Sequence, residues 1–261
     1  WAEGIAAVGD ISNSSLSIKT KLKSKIYYHT FVESFGFDPS RSEKAFSFAE
    51  NLQHLFSQNG LSSCITPHSP YSVSKELFEK LKENALKEES ILTIHNQESR
   101  SEAEFFKDGT GSILNHIQNN LKIDTSHWKP TGRSSLISIL NYLPAENPLI
   151  LVHNTFTEKE DLDKLINHRS MVNTYFAFCP NSNLYIENEL PNVELFRSLN
   201  LKICIGTDSL ASNNSLSILS EIRTLQSYFP TIELEELLKW AGINGAKALG
   251  IENNFGTFEK G

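Results

Sequence analysis

Histidine and carboxylate side chains stand at the ends of several apolar, β-type runs in this sequence. His68, His95 and His153 each close such a run, and Asp208 follows a fourth. Glu98 comes three residues after His95. Imidazole with carboxylate is the ligand set that zinc and iron(II) accept, usually with one position left open for water. Taken singly, such residues are more often structural groups or helix caps, so a site requires a fold that brings them together.

Seven short β-rich runs, each followed by a helical pattern, could provide that fold. The runs begin at Gly4, Lys25, Leu61, Ser90, Asn147, Asn173 and Leu201. Alternating strands and helices predict a parallel sheet that is covered on both faces. A doubly wound open sheet is the competing architecture, but the first run lacks the Gly-rich phosphate fingerprint of dinucleotide folds. We therefore predict an α/β fold, a TIM-type (β/α)8 barrel seen without its first strand.

The carboxyl ends of barrel strands converge on one axial pocket, where the catalytic groups of such enzymes lie. We therefore expect His95, His153 and Asp208 around a common centre, with Glu98 and His68 close to them. A metal ion held there lowers the pKa of a bound water to about 7. A carboxylate such as Glu98 can carry a proton to the leaving group. Further polar residues at strand ends receive no role: Asp10, Asn13, Glu33, Asn181 and Asn183.

Two segments between the strands carry predictions of their own. Residues 99–146 form the longest connection, although a crossover needs only about 10–12 residues. On the top face of a barrel this insertion predicts a lid or a wall of the substrate site. A surface elaboration packed on neighbouring helices is the alternative. In the segment after His153, Thr157 with Glu160 predicts a capping box at a helix start.

The composition excludes some classes of function. A formal charge of -7 argues against a nucleic-acid surface or a basic stripe for anionic membranes. No apolar run approaches the ~20 residues that span a bilayer. Three cysteines lie far apart in apolar runs, which predicts buried, reduced thiols in a cytoplasmic protein. The chain opens on Trp1, and we interpret residues 1–261 as one hydrolase barrel truncated at both ends.

The strand-end motifs also carry a resemblance to a known family. They are "TPHSPYSVS", "IHNQESRSEAEFF", "LVHNTFTEKEDLDKL", "FCPNSNLYI" and "IGTDSLASNNSLSILSEIR". In this order and spacing they resemble the amidohydrolase superfamily. More narrowly, they are similar to the branch of cytosine, guanine, S-adenosylhomocysteine and aminofutalosine deaminases and the triazine chlorohydrolases. The resemblance covers nearly the whole chain and implies a small flanking β-sandwich that this chain lacks.

The resemblance implies a mononuclear metal site. His95 would be the metal ligand of the fifth barrel strand, and Asp208 the ligand of the eighth, which also helps to activate the water. The family carries a His-x-His pair on the first strand, and this sequence contains none. We expect that pair upstream of Trp1. The expected cofactor is one divalent ion, zinc in the first place and iron as the alternative.

The resemblance also implies roles for four other residues. Glu98 would be the proton shuttle, which protonates a ring nitrogen and then the departing amine. His153 would polarise the tetrahedral centre or orient the water that attacks. His68 and Ser212 would contact the substrate.

The predicted function is a metal-dependent hydrolase that deaminates an amino-substituted heterocycle, aminopurine or nucleoside-like, and releases ammonia. A hydrolytic dechlorinase or an amide hydrolase of the same superfamily is the nearest alternative. A non-catalytic barrel that only binds its ligand is an alternative from another class. The expected partner is a small heterocyclic substrate, with no nucleic acid and no membrane, and a homodimer is possible.

Overall fold

The computed structural model describes residues 3–258, in which seven strands alternate with helices. The strands are β1 (Ala7–Ser12), β2 (Tyr27–Ser34), β3 (Ser62–Pro67), β4 (Leu92–Asn96), β5 (Leu149–His153), β6 (Thr174–Phe178) and β7 (Lys202–Ile205). The first helices are α1 (Ile18–Lys23), α2 (Ser42–Gln58), α3 (Lys75–Glu88), α4 (Arg100–Asp108), α5 (Gly111–Asn115) and α6 (Ser135–Ile139). The later helices are α7 (Lys159–His168), α8 (Pro180–Glu187), α9 (Val193–Ser198), α10 (Ile218–Tyr228), α11 (Leu234–Lys239) and α12 (Gly245–Ala248). Two π-helical turns lie at His116–Asn120 and Trp240–Asn244. Short 3-10 turns lie at Ser15–Ser17, Pro39–Arg41, Pro70–Ser72, Leu140–Tyr142 and Met171–Asn173.

The strands follow one another in space in the order of the sequence. Three form one parallel sheet, in the order β1-β2-β3, and four form another, in the order β4-β5-β6-β7. This order has no switch point, so it fits a barrel and not a doubly wound sheet. All seven predicted strands are confirmed.

A threonine side chain joins the two sheets. Thr66 Oγ1 accepts a hydrogen bond from the Thr93 N–H at 2.9 Å and donates to the Thr93 carbonyl oxygen. Beyond it, the backbone N–H of His95 donates to the carbonyl oxygen of His68 at 3.0 Å. The hydroxyl thus replaces a ladder of backbone bonds between β3 and β4, and it brings the end of β3 beside the end of β4.

Most strands from β2 onwards bury apolar side chains on both faces, which is why they appear as near-continuous apolar runs. One face of the strands packs against the helices and forms the larger core, which includes Val32, Ile65, Ile94, Leu151 and Phe176. The other face forms a second cluster, which includes Phe31, Cys64, Ile150, Tyr175 and Cys204. The three cysteines are buried and free, as predicted. None of the helices in residues 3–258 is long and apolar enough to cross a bilayer.

One predicted helix start is wrong by a residue. The capping box of α7 is formed by Glu158 and Asp161, and not by Thr157 and Glu160. The Thr157 hydroxyl is engaged elsewhere, because it donates to Gln97 Oε1 at 2.7 Å. A long-range hydrogen bond has therefore displaced the local cap that the sequence pattern favours.

The insertion 99–146 has an aromatic core of its own. Trp128 stacks on Phe105 with ring centroids 3.9 Å apart, and Phe106 packs edge-on against both rings. Phe37, from the loop after β2, joins this cluster. The insertion is therefore fixed to the loops at the carboxyl ends of the strands.

Candidate active site

His153 and Glu98 form one half of the site. His153 ends β5 and is 1% exposed. Its Nδ1 lies 2.9 Å from Asn183 Oδ1 on α8. Because an amide oxygen can only accept, Nδ1 carries a hydrogen and donates it to Asn183, which turns Nε2 towards Glu98. That Nε2 atom lies 3.3 Å from Glu98 Oε1.

His95 and His68 form the other half, with Glu33 from the end of β2. The Nδ1 atom of His95 donates to the carbonyl oxygen of His68 at 2.9 Å, which leaves the Nε2 lone pair free to bind a cation. Glu33 Oε1 lies 3.5 Å from His95 Nδ1 and 3.8 Å from His68 Nε2. The rings of His68 and His95 have centroids 5.1 Å apart.

Asp208 lies beyond the end of β7 and is held by two serines. The hydroxyls of Ser182 and Ser212 lie 2.7 and 2.5 Å from Asp208 Oδ2 and donate to it. Asp208 itself adopts a left-handed backbone with φ of 56°. Gly206 does not make this turn. A Cβ atom there would lie 3.1 Å from Cys179 Sγ, so a side chain at this position would crowd the buried thiol.

The two halves meet at the imidazole rings of His95 and His153. Their centroids are 5.5 Å apart, and the ring planes lie within 27° of parallel. The six site residues that the sequence predicts therefore form one contiguous cluster: His68, His95, Glu98, His153, Asp208 and Ser212.

The same cluster contains two sets of possible metal donors. Atoms of Glu33, His68 and His95 lie within 4.8 Å of one another, and atoms of Glu98, His153 and Asp208 do likewise. The two predicted ligands, His95 and Asp208, thus belong to different sets. The donors are imidazole nitrogens and carboxylate oxygens, which suit zinc or iron(II). The residues present therefore fit a catalytic metal ion.

Burial sets the charges of these groups. Burial is the main reason that the pKa of His68 is lowered to about 4, and it also lowers the pKa of His95. Both imidazoles are therefore neutral at pH 7. Burial, with a smaller contribution from Asp208, raises the pKa of Glu33 to about 7. Burial also disfavours the ionised form of Asp208, but hydrogen bonds from Ser212 and Ser182 outweigh it and lower the pKa of this carboxyl. A neutral imidazole and an ionised carboxylate are the forms that bind metals.

The backbone is strained where these side chains leave the strands. Gln97, His153, Asn154 and Asp208 all have positive φ although none is glycine. Such a conformation costs of order 1–3 kcal/mol and is retained where surrounding contacts fix it, often at functional sites. The strain lies at the ends of β4, β5 and β7, around the cluster of polar side chains.

Sequence reasoning gave no role to three residues that contact the site directly: Glu33, Ser182 and Asn183. Glu33 lies at the carboxyl end of β2, just as His68 lies at the carboxyl end of β3. This position at a strand end was the sequence feature that could have identified Glu33 as a site residue. Ser182 lies inside the motif "FCPNSNLYI", but its spacing from Asp208 gave no sign that they meet.

A groove of about 1240 Å³ reaches the site, and Glu33 lines it. The loop after β2, helix α2 and the insertion residues 112–123 form its walls. Three large apolar side chains in it remain about half exposed: Phe35, Phe48 and Leu121 at 54%, 60% and 53%. Phe35 connects the groove with the site, since its ring lies edge-on to His68 at 6.3 Å. The insertion therefore forms part of a wall beside the site, while its aromatic core packs on neighbouring elements.

The fold and these motifs match a known family along most of the chain. The model of the Amidohydrolase family matches residues 32–261. The chain belongs to the amidohydrolase family. Among the relatives of this amidohydrolase, an adenosine deaminase from Helicobacter pylori is 30% identical over 258 residues, which cover 96% of this chain and 61% of the relative. A 5-methylthioadenosine/S-adenosylhomocysteine deaminase from Pyrococcus abyssi is 27% identical over 218 residues, or 81% of this chain and 44% of the relative.

Solved structures agree with this assignment. The crystal structure of Helicobacter pylori aminofutalosine deaminase superposes with a TM-score of 0.85 at 27% identity, over 98% of this chain and 63% of that one. A zinc-bound adenosine deaminase from Xanthomonas campestris shares the fold, with a TM-score of 0.72 at 22% identity, over 99% of this chain and 56% of that one. The amidohydrolase chain thus spans about three fifths or less of the length of these relatives, and its described part is a fragment of the barrel.

Proposed function

We propose that this amidohydrolase is a metal-dependent deaminase that releases ammonia from an amino-substituted heterocycle, an aminopurine or its nucleoside. One observation carries the proposal. Glu98 Oε1 lies 3.3 Å from His153 Nε2, in the cluster that also contains His95 and Asp208. A carboxylate beside an imidazole and metal donors suits hydrolysis at a ring carbon. The names of the relatives, which are adenosine, methylthioadenosine and aminofutalosine deaminases, support this substrate class.

The metal is part of the proposal. His95 Nε2 and the Asp208 carboxylate would bind one divalent ion, with zinc proposed first and iron as the alternative. A bound ion of this kind lowers the pKa of water to about 7 and so supplies hydroxide at neutral pH. A cytoplasmic location and a possible homodimer remain proposals as well.

The side chains of this chain would move the protons. Glu98 accepts a proton from the attacking water and transfers it to a ring nitrogen. It then takes the remaining hydroxyl proton of the tetrahedral intermediate and gives it to the amine. The bond from the ring carbon to the amine then breaks, a carbonyl forms, and ammonia leaves. His153 Nε2 lies beside the Glu98 carboxylate, so of its two predicted roles we favour orienting the water that Glu98 deprotonates. Ser182 and Ser212 keep Asp208 ionised and fixed.

The position of the groove suggests how the rest of the substrate binds. We place the reacting ring against His68 and Ser212. The groove beyond Glu33 would take the substituent of that ring. Its exposed Phe35, Phe48 and Leu121 favour an apolar group there.

A substrate panel tests the proposal. The purified protein is assayed for metal content and for ammonia release from aminopurines, their nucleosides, pyrimidines and aminotriazines. We expect about one zinc or iron per chain and turnover of at least one aminopurine compound. Chloride release from a chlorotriazine, or cleavage of an amide, without deamination would instead support the alternative hydrolases. Ligand binding without any turnover would support a binding protein and overturn the proposal.

A further inference from the structure

Glu102, on α4, is a buried carboxylate that the proposed reaction does not use. It is 1% exposed and forms no ion pair within residues 3–258. Its Oε1 accepts the backbone N–H of Gln97 at 3.0 Å, and its Oε2 accepts the backbone N–H of Glu98 at 3.1 Å. Burial raises the pKa of Glu102 to about 7, because an unpaired buried charge is costly, and hydrogen bonds from Ser135 and from these two amides offset only part of that cost. Both bonds from the backbone are made to the loop that carries Glu98.

The residue before Glu98 is fixed from a second direction as well. Gln97 has a left-handed backbone with φ of 48°. Its Nε2 donates to Asp161 Oδ2 at 2.8 Å, and its Oε1 accepts from Thr157 Oγ1 at 2.7 Å. Two buried carboxylates, Glu102 and Asp161, therefore hold the backbone and the side chain of one strained residue. Glu98 follows directly from it.

Helix capping does not explain this arrangement. The N-cap of α4 is Ser99, whose hydroxyl accepts the N–H of Glu102 at 3.2 Å. In a capping box the carboxylate at Glu102 would accept the N–H of Ser99 itself. Here it reaches past the cap to the two preceding amides, which lie outside the helix. The hydrogen bonds thus hold the loop and add nothing to the first turn of α4.

We propose that Glu102 is a positioning residue that fixes the 97–98 peptide and thereby holds the Glu98 carboxylate at its distance from His153. This inference rests on the proposed role of Glu98 as the proton shuttle. Glu98 has three rotatable side-chain bonds, so its backbone must be fixed before its carboxylate can be. A displacement of about 1 Å in such a group costs on the order of 100-fold in rate.

The variant Glu102→Gln tests the inference. Its amide can accept one of the two N–H groups, but its NH2 faces the other donor, so the loop must move. We expect kcat for ammonia release to fall about 100-fold, while KM stays within threefold and the metal content is unchanged. Glu104→Gln is the matched control, because Glu104 is an exposed carboxylate on the same helix, and it should behave as wild type. Glu102→Asp, whose shorter side chain cannot span both amides, should lose activity to an intermediate degree.

Two results would overturn the inference. One is a Glu102→Gln enzyme with kcat within twofold of wild type. The other is a variant in which kcat, KM and metal content all change together, since that is general disruption of the site. Hydrogen exchange of the wild-type protein is independent of how any variant folds. The 97 and 98 amides should exchange as slowly as those of β4, and exchange at the rate of open loops would also contradict the inference. If the wild-type protein shows no deamination at all, the proposed function fails. The exchange measurement still tests whether Glu102 fixes the 97–98 peptide.

Discussion

The Nε2 atom of His153, at the end of β5, lies 3.3 Å from Oε1 of Glu98, beyond the end of β4. The two side chains come from neighbouring strands whose registers align Asn96 with His153. Because His153 donates its other nitrogen proton to Asn183, its orientation and its tautomer are both set. The two groups are therefore within direct hydrogen-bonding reach of each other, and both face the same part of the site.

Replacing Glu98 by glutamine should remove this proton transfer. We expect Glu98→Gln to lower kcat for ammonia release about 10³-fold, within the range that general acid–base groups contribute, while the metal remains bound. Steady-state kinetics with metal analysis measures both. Activity within tenfold of wild type would mean that another group carries the proton.

Asp208→Asn should weaken metal binding. An amide is a weaker ligand than a carboxylate, so we expect metal content to fall at least ~10-fold and turnover to be lost. The matched control is Asp163→Asn, because Asp163 is a half-exposed carboxylate on α7 that pairs with Lys159. Full activity in Asp208→Asn would contradict the proposed mechanism.

Phe48→Ala should change which substrates bind well. Phe48 is 60% exposed in the groove, and burying its ring under a substituent would contribute about 1–1.5 kcal/mol. We expect KM to rise about tenfold for a nucleoside with an apolar substituent and less than twofold for the free base. Leu55, on the same helix and 43% exposed, lies outside the groove and gives the control Leu55→Ala. Equal effects on base and nucleoside would show that the groove does not hold the substituent.

His29 predicts how stability depends on pH. It lies on β2, bonded to Ser62 and Cys64, and burial lowers its pKa to about 4 from an unfolded value of 6.5. Its stabilising contribution is complete above pH 6.5, where the ring is neutral in both states, and is lost as the pH falls towards 4. At pH 5 the loss is about 2 kcal/mol.

Urea denaturation of wild type and His29→Gln at pH 7.5 and pH 5 measures this loss. The free energy of unfolding of wild type should fall about 2 kcal/mol more than that of the variant between the two pH values. Parallel losses in the two proteins would show that His29 titrates normally in the folded state.

The sequence by itself determined the seven strands, their order and the residues at their ends. Buried parallel strands are apolar on both faces, so each appears as a continuous local run. The side chain that follows such a run is fixed within one or two positions. His68, His95, His153 and Asp208 could therefore be chosen as candidate site residues without coordinates.

Only the tertiary structure decided which of these side chains meet. His95 faces Glu33 and His68, whereas Asp208 Oδ2 accepts hydrogen bonds from Ser182 and Ser212. These contacts depend on the register between strands and on positive φ angles at the strand ends. Neither can be predicted from the local amino-acid composition. The same holds for Thr157, whose hydroxyl reaches Gln97 instead of forming the local helix cap that the sequence favours. A local pattern predicts where a side chain leaves a strand, but the packing of distant segments determines what it contacts.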